Sequence, residues 1–134
     1  MGIIIDTSVI IAAERKNIDF NQWQKYESAY ISSITITELL VGVHRAKNPE
    51  IRMKRSAFVE HIVSSISSLA FGEEEARLYA GILDELYRQN ITIGTHDMMI
   101  AATAIANGYP VLTTNEKDFK RIPGLEVLVI NKDK

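Results

Sequence analysis

Gly2-Ile3-Ile4-Ile5-Asp6-Thr7-Ser8 is the stretch on which the fold turns. Three β-branched residues between a glycine and an Asp-Thr-Ser break read as a short strand buried on both faces. The carboxylate of Asp6 falls where that strand stops. In open parallel sheets ligands gather beyond the carboxyl ends of the strands, so Asp6 stands at the edge where chemistry is usually found.

Downstream, short β runs alternate with helical patterns. A helix is expected over residues 9–16, with Asp6 or Thr7 placed to cap it. Asp19 could cap a second short helix carrying Phe20 and Trp23, and residues 30–33 form a plausible strand. From 35 to 46, Ile36, Leu39, Leu40 and Val43 recur at helical spacing. Asn48-Pro49-Glu50 is a strong helix start, and its helix runs to about Ser65 with Phe58, Val59, Ile62 and Ile66 inward. Residues 67–72 read as a connection with one short strand.

Glu73-Glu74-Glu75 opens the next helix, which ends near Asn90; its inward stripe is expected to be Ala76, Tyr79, Ala80, Leu83, Leu86 and Tyr87. Thr95 is expected to cap a helix that stops at Asn107-Gly108, with Pro110 just beyond. Residues 111–113 and 126–130 complete the strands, and 132–134 read as a frayed tail. Repeats, low-complexity tracts and linkers are absent from the sequence. The order predicts an α/β domain with a mostly parallel central sheet and right-handed crossovers.

The totals agree with one domain. At 134 residues, with 46% hydrophobic and 24% charged side chains, the chain can bury a core and is not of disordered composition. It has no cysteine, which excludes disulfides, thiolate metal sites and a cysteine nucleophile. No apolar run reaches the roughly 18–20 residues of a membrane span, and the N-terminus lacks signal-peptide features. A soluble, cytoplasmic protein is expected. The net charge of −2 disfavours a nucleic-acid partner at first sight. Setting aside four acids that could share bound cations leaves a slight positive excess, so the charge decides little.

Those acids are Asp6, Glu38, Asp97 and Asp118, each near a strand end or a helix start. Each also has a plainer reading. Asp6 could cap a helix, and Thr35-x-x-Glu38 is a capping-box pattern. Asp97 suits the first turn of a helix electrostatically, and Asp118 could be a solvated loop acid. Were they to converge, their repulsion would call for a cation, and an all-oxygen set suits Mg²⁺ or Mn²⁺ rather than zinc. Two such ions can stabilise the attacking and leaving oxygens of a phosphodiester.

Four blocks carry a resemblance. Ile3-Ile4-Ile5-Asp6-Thr7-Ser8, Ser33-Ile34-Thr35-Ile36-Thr37-Glu38-Leu39, Ile93-Gly94-Thr95-His96-Asp97-Met98-Met99-Ile100-Ala101-Ala102 and Val111-Leu112-Thr113-Thr114-Asn115-Glu116-Lys117-Asp118-Phe119 resemble the PIN-domain family in order and spacing. Length and motifs look like its VapC-type toxins, over nearly the whole chain. The resemblance implies one three-layer α/β/α domain over 1–134, with a short, mostly parallel sheet of four to five strands. It implies an endoribonuclease using one or two Mg²⁺ or Mn²⁺ ions to cleave single-stranded or loop RNA, leaving a 5′-phosphate.

By that resemblance Asp6 and Asp97 are the principal metal ligands. Glu38 binds metal or orients the attacking water, and Asp118 supports a second metal. Ser8 and Thr113 match polar positions lining the pocket. Asn115 stands where many relatives carry another acid, leaving Asp118 and Asn115 as alternatives for the fourth position; Glu116 should face solvent. The resemblance further implies a homodimer and a VapB-like antitoxin as partner, with DNA reached only through the antitoxin. An apolar groove among the early helices would suit an antitoxin segment.

Other residues divide between surface and core. Arg45, Lys47, Arg52, Lys54 and Arg55 form the densest basic run, either a solvated helix face or contacts to an RNA backbone. His44, His61 and His96 lack zinc-ligand spacing and read as surface residues, although His96 beside Asp97 could touch a phosphate. Trp23, Met53, Phe58 and Tyr87 are expected in the core. Two other functions remain: another Mg²⁺-dependent phosphohydrolase, or a catalytically idle RNA- or protein-binding domain. The haloacid-dehalogenase version of the first fails, because Thr7-Ser8 follows Asp6 where Asp-x-Asp is required.

Overall fold

A computed structural model of the protein describes residues 1–15 and 26–130. The helix expected after Asp19, with Phe20 and Trp23, and the tail at 132–134 lie outside the described residues. The elements run β1 (Gly2–Ile5), α1 (Thr7–Arg15), β2 (Ser28–Ser32), α2 (Ser33–His44), α3 (Pro49–Ser65) and β3 (Ser67–Leu69). They continue through α4 (Glu73–Arg88), α5 (Thr95–Asn107), β4 (Val111–Thr113), α6 (Glu116–Phe119) and β5 (Val127–Val129).

The five strands form one parallel sheet in the order β3-β2-β1-β4-β5, with β1 at its centre. Side chains alternate across a strand, so the isoleucines of β1 divide between two cores. Ile4 packs with Ile82 and Leu86 of α4, Met98 and Ala101 of α5, and Phe119. Ile3 and Ile5 face the other way, onto Val9 and Ile10 of α1, Leu39 and Val43 of α2, and Val59 of α3. Helices therefore cover both faces, giving three layers. Each such buried side chain contributes about 1.5–3 kcal/mol of transfer free energy, which is why β1 carries no polar residue before Asp6.

The chain leaves β1 for β2 and β3 on one side, then returns to β4 on the other. This reversal opens a crevice beyond the carboxyl ends of β1 and β4, the usual ligand position in such sheets. Asp6 and Thr114 are the residues that follow those ends.

Local signals set most boundaries. Asn48 Oδ1 accepts from the Ile51 amide at 2.8 Å, and Pro49 takes the first position of α3. Gly108 closes α5 at φ 71°, a left-handed conformation that costs glycine little.

Several expectations are corrected. Helix α2 starts earlier than Thr35, because Ser32 caps it and accepts from the Ile34 amide at 3.0 Å. Thr35 is therefore buried inside α2, and Glu38 stands in the second turn, so the capping-box reading of that pair fails. Gly94, not Thr95, is the cap of α5, although Asp97 does lie in its first turn. Asp118 sits on the short helix α6 rather than in a loop.

The inward stripe of α4 runs through Leu78, Tyr79, Ile82, Leu83 and Leu86, while Ala76, Ala80 and Tyr87 are exposed. The larger side chain of Ile82 takes the inward place over Ala80, and that rotation turns Tyr87 out to 67% exposure. Met53 is 74% exposed as well, and Phe58 is half-buried.

Candidate active site

The break after β1 does more than end a strand. Asp6 is only 3% exposed, and its Oδ2 accepts from Ser8 Oγ at 2.6 Å and from Thr113 Oγ1 at 2.8 Å. The same two hydroxyls stitch β1 to β4. Ser8 Oγ accepts from the Thr114 amide at 3.1 Å, and Thr113 Oγ1 accepts from the Asn115 amide at 2.8 Å. Burial pushes the Asp6 carboxyl up, the hydroxyls of Ser8 and Thr113 pull it back, and Glu38 pushes it up again.

From the other side of the crevice come Glu38 on α2 and Asp97 on α5. Glu38 Oε1 lies 2.6 Å from Thr7 Oγ1, and Oε2 lies 3.3 Å from His96 Nδ1. Glu38, Gly94, Thr95, His96 and Asp97 line one open depression. The half-buried Asp97 is pushed up to about 6, first by burial and then by the charges of Asp6, Glu38 and Asp118. The Asn115 amide works against that rise: its Nδ2 donates to Asp97 Oδ2 at 3.3 Å and approaches Asp118 Oδ2 at 3.5 Å. A neutral donor thus stands between two carboxylates.

All four predicted acids, with Ser8, Thr113 and Asn115, therefore gather around one crevice, where Asp97 feels the charges of Asp6, Glu38 and Asp118 and Asp6 feels that of Glu38. Among the described residues, however, no three His, Cys, Asp or Glu side chains approach closely enough to form a complete metal shell. Several carboxylate oxygens instead face Ser8, Thr7, His96, Thr113 and Asn115. The donor set is all oxygen and strongly anionic, which fits a hard divalent cation and does not fit zinc.

Glu116, beside this set, faces outward and pairs with Lys120. The basic run divides. Arg55 donates to the Gly42 carbonyl at 3.1 Å, lies 4.0 Å from Glu14, and lines a groove that also reaches Glu38. Arg52 donates to the Ala46 carbonyl at 3.2 Å, and Lys54 pairs with Glu50. Arg45 and Lys47 are exposed where α2 gives way to α3, and His44 and His61 are exposed too.

The sequence marked Thr7 only as a cap, whereas its hydroxyl contacts both Glu38 and Thr35. The available signal was the i, i+3 spacing of Thr35 and Glu38, which puts both on one helix face.

The model of the PIN domain family matches residues 3–125. The chain is 57% identical to ribonuclease VapC1 of Rickettsia felis over 131 residues, covering 98% of each chain. It is 53% identical to ribonuclease VapC of Rickettsia bellii, covering 97% of each. The fold superposes with a TM-score of 0.88 on a chain of the crystal structure of VapBC2 from Rickettsia felis bound to a DNA fragment from their promoter. That match has 27% identity and covers 98% of this chain and 100% of the other.

Proposed function

Because the chain belongs to the PIN-domain family, we propose that it is a metal-dependent endoribonuclease, the toxin of a type II toxin–antitoxin pair held in check by a VapB-like antitoxin. Residues 1–134 form one such domain. Relatives named ribonuclease VapC at more than half identity support the activity, and likeness to a VapBC complex supports the partner. No described helix is long and apolar enough to cross a membrane; we assign the protein to the cytoplasm, as a homodimer that meets DNA only through its antitoxin.

The observation that carries the reading is the convergence of Asp6, Glu38, Asp97 and Asp118 on one crevice, where burial first and then the other three charges push the Asp97 carboxyl up to about 6. A cluster that repels itself at neutral pH gains by taking up a cation. Asp6, Asp97, Glu38 and Asp118 would hold one or two Mg²⁺ or Mn²⁺ ions, with Asn115 supporting the fourth position by hydrogen bonds. Bound there, the metal neutralises charge on the phosphodiester and makes water a better nucleophile at neutral pH.

The chain's own residues supply the rest. Ser8 and Thr113 fix the Asp6 carboxylate, and Asn115 aligns Asp97 with Asp118. Glu38 turns Oε2 toward the depression, where it can accept a hydrogen bond from the attacking water. Arg55, at the groove that meets Glu38, is the basic residue best placed to contact the RNA backbone; Arg45, Lys47, Arg52 and Lys54 extend that contact along the surface.

The test is cleavage of RNA by purified protein with Mg²⁺ or Mn²⁺. Asp6→Asn and Asp97→Asn should each abolish cleavage while leaving the circular-dichroism spectrum unchanged. Cleavage by both variants at the parent's rate, with contaminating nuclease excluded, overturns the reading.

A further inference from the structure

Two buried hydroxyls stand behind Glu38. Thr7 Oγ1 lies 2.6 Å from Glu38 Oε1 and 3.0 Å from Thr35 Oγ1. Thr7 is 6% exposed and Thr35 fully buried. A hydroxyl carries one proton. At this short separation from a carboxylate the Thr7 proton belongs mainly to Glu38, because charge-assisted O–H···O⁻ bonds fall at about 2.5–2.7 Å. The same Thr7 oxygen makes a second, longer contact as the donor toward Thr35 Oγ1. Thr7 therefore serves Glu38 through its shorter bond and is seated against Thr35 through its longer one.

Packing alone does not account for this pair. Valine has nearly the shape of threonine and would fill either position without the cost of burying a hydroxyl. Thr7 opens α1 directly after Asp6, whereas Thr35 and Glu38 lie on α2, so the two contacts of Thr7 also tie the helices together where their acids meet. With Oε1 bound from behind, the remaining oxygen, Oε2, is the one beside His96 in the depression shared with Asp97.

We propose that Thr7 is a positioning residue for Glu38, seated in turn by Thr35: its hydroxyl fixes Oε1 and aims Oε2 at the reaction site. The proposal rests on the ribonuclease reading, since it concerns how Glu38 serves that reaction. It gives the middle residue of Asp6-Thr7-Ser8 a task of its own, separate from the hold that Ser8 has on Asp6.

The test compares parent, Thr7→Val, Thr7→Ser and Thr35→Val in RNA cleavage, and measures Mn²⁺ binding to each by calorimetry. Loss of an outer hydrogen-bond partner of a metal-binding group costs about 10- to 100-fold in affinity or activity. Thr7→Val should lower kcat and weaken Mn²⁺ binding within that range, with KM for RNA little changed. Thr7→Ser should stay within a few-fold of the parent, and Thr35→Val should lose less than Thr7→Val.

In a Glu38→Gln background, Thr7→Val should weaken Mn²⁺ binding no further. Parent-like kcat and Mn²⁺ affinity in Thr7→Val overturn the proposal. So does an undiminished effect of Thr7→Val in the Glu38→Gln background, which would mark a merely structural role. If Thr7→Val fails to fold, Thr7→Ala takes its place in the same comparison. A parent that binds Mn²⁺ but leaves RNA intact defeats the ribonuclease reading, while the binding cycle still decides the role of Thr7.

Discussion

The Thr113 hydroxyl donates to Asp6 Oδ2 across 2.8 Å, joining residues 107 positions apart at the ends of two neighbouring strands. The same oxygen accepts from the Asn115 amide, so one side chain holds a buried acid and steers the chain toward α6. Thr113→Val keeps the shape and removes both bonds. It leaves Asp6 with fewer donors and strands a backbone amide, which should cost about 1–3 kcal/mol. Urea unfolding at pH 7 should show that loss, and Thr113→Ser should recover most of it. A valine variant as stable as the parent would mean that the strand ends hold together without this contact.

Burial of Asp97, and then repulsion from Asp6, Glu38 and Asp118, make stability depend on pH in a direction opposite to that of a salt-bridged acid. Its folded value of about 6 lies above the ordinary 3.8. Between those values the folded state binds more protons than the unfolded state, so metal-free stability falls as pH rises through the window. The Asp97 contribution should therefore raise the melting temperature of chelator-treated protein as pH is lowered from 7 to 5, and Asp97→Asn should reduce that dependence. At pH 7 the asparagine variant should melt higher than the parent, by on the order of 4 °C per kcal/mol of repulsion relieved. Scanning calorimetry of the two proteins in chelator decides the matter. A variant that melts lower at pH 7 would show that Asp97 is not under like-charge strain.

The fold was legible where one residue type carries one physical demand. Three isoleucines in a row must be buried on both faces, and Asn48-Pro49 and Asn107-Gly108 mark helix ends by mechanisms confined to a few residues. The boundaries that shifted were those with competing signals. Thr35-x-x-Glu38 looks like a cap, but Ser32 caps one turn earlier, so the pair is inside the helix. On α4 several registers of apolar residues are available, and only the sheet decides that Ile82 turns in and Tyr87 out. The acids of the site were recognisable from their order and from resemblance. Their hydroxyl partners were not, because Thr7 to Glu38 and Thr113 to Asp6 are contacts between residues far apart in the chain.

On the proposed metal-binding role of the four acids, Asn115 is the residue placed to set the balance between the metal-free and metal-loaded states. Its amide donates to Asp97 and reaches Asp118, where an acid would repel both. Asn115→Asp should therefore lower the melting temperature in chelator and tighten Mn²⁺ binding, so that the two proteins differ less once metal is saturating. Metal bound at 100 times its dissociation constant adds about 2.7 kcal/mol of stability, enough for the crossover to be seen in a titration. Equal Mn²⁺ affinity in parent and variant would place residue 115 outside the metal's reach.

Gly2 sits at the opposite end of β1 from Asp6, and its lack of a side chain answers to packing rather than chemistry. A Cβ there would meet the Tyr109 ring at 2.8–2.9 Å. That ring is stacked on Tyr30, with centroids 5.3 Å apart and planes within 4°, so it cannot swing aside without losing the stack. Gly2→Ala should cost about 1–3 kcal/mol, as overpacking does. A Tyr109→Ala change removes the obstruction, so the double variant should be less destabilised than the two single losses added together. RNA cleavage, measured well below the melting transition, should be unchanged in Gly2→Ala, because the strand's other end carries the acids. Additive losses in the double variant would mean that the cost of the alanine arises somewhere other than the ring.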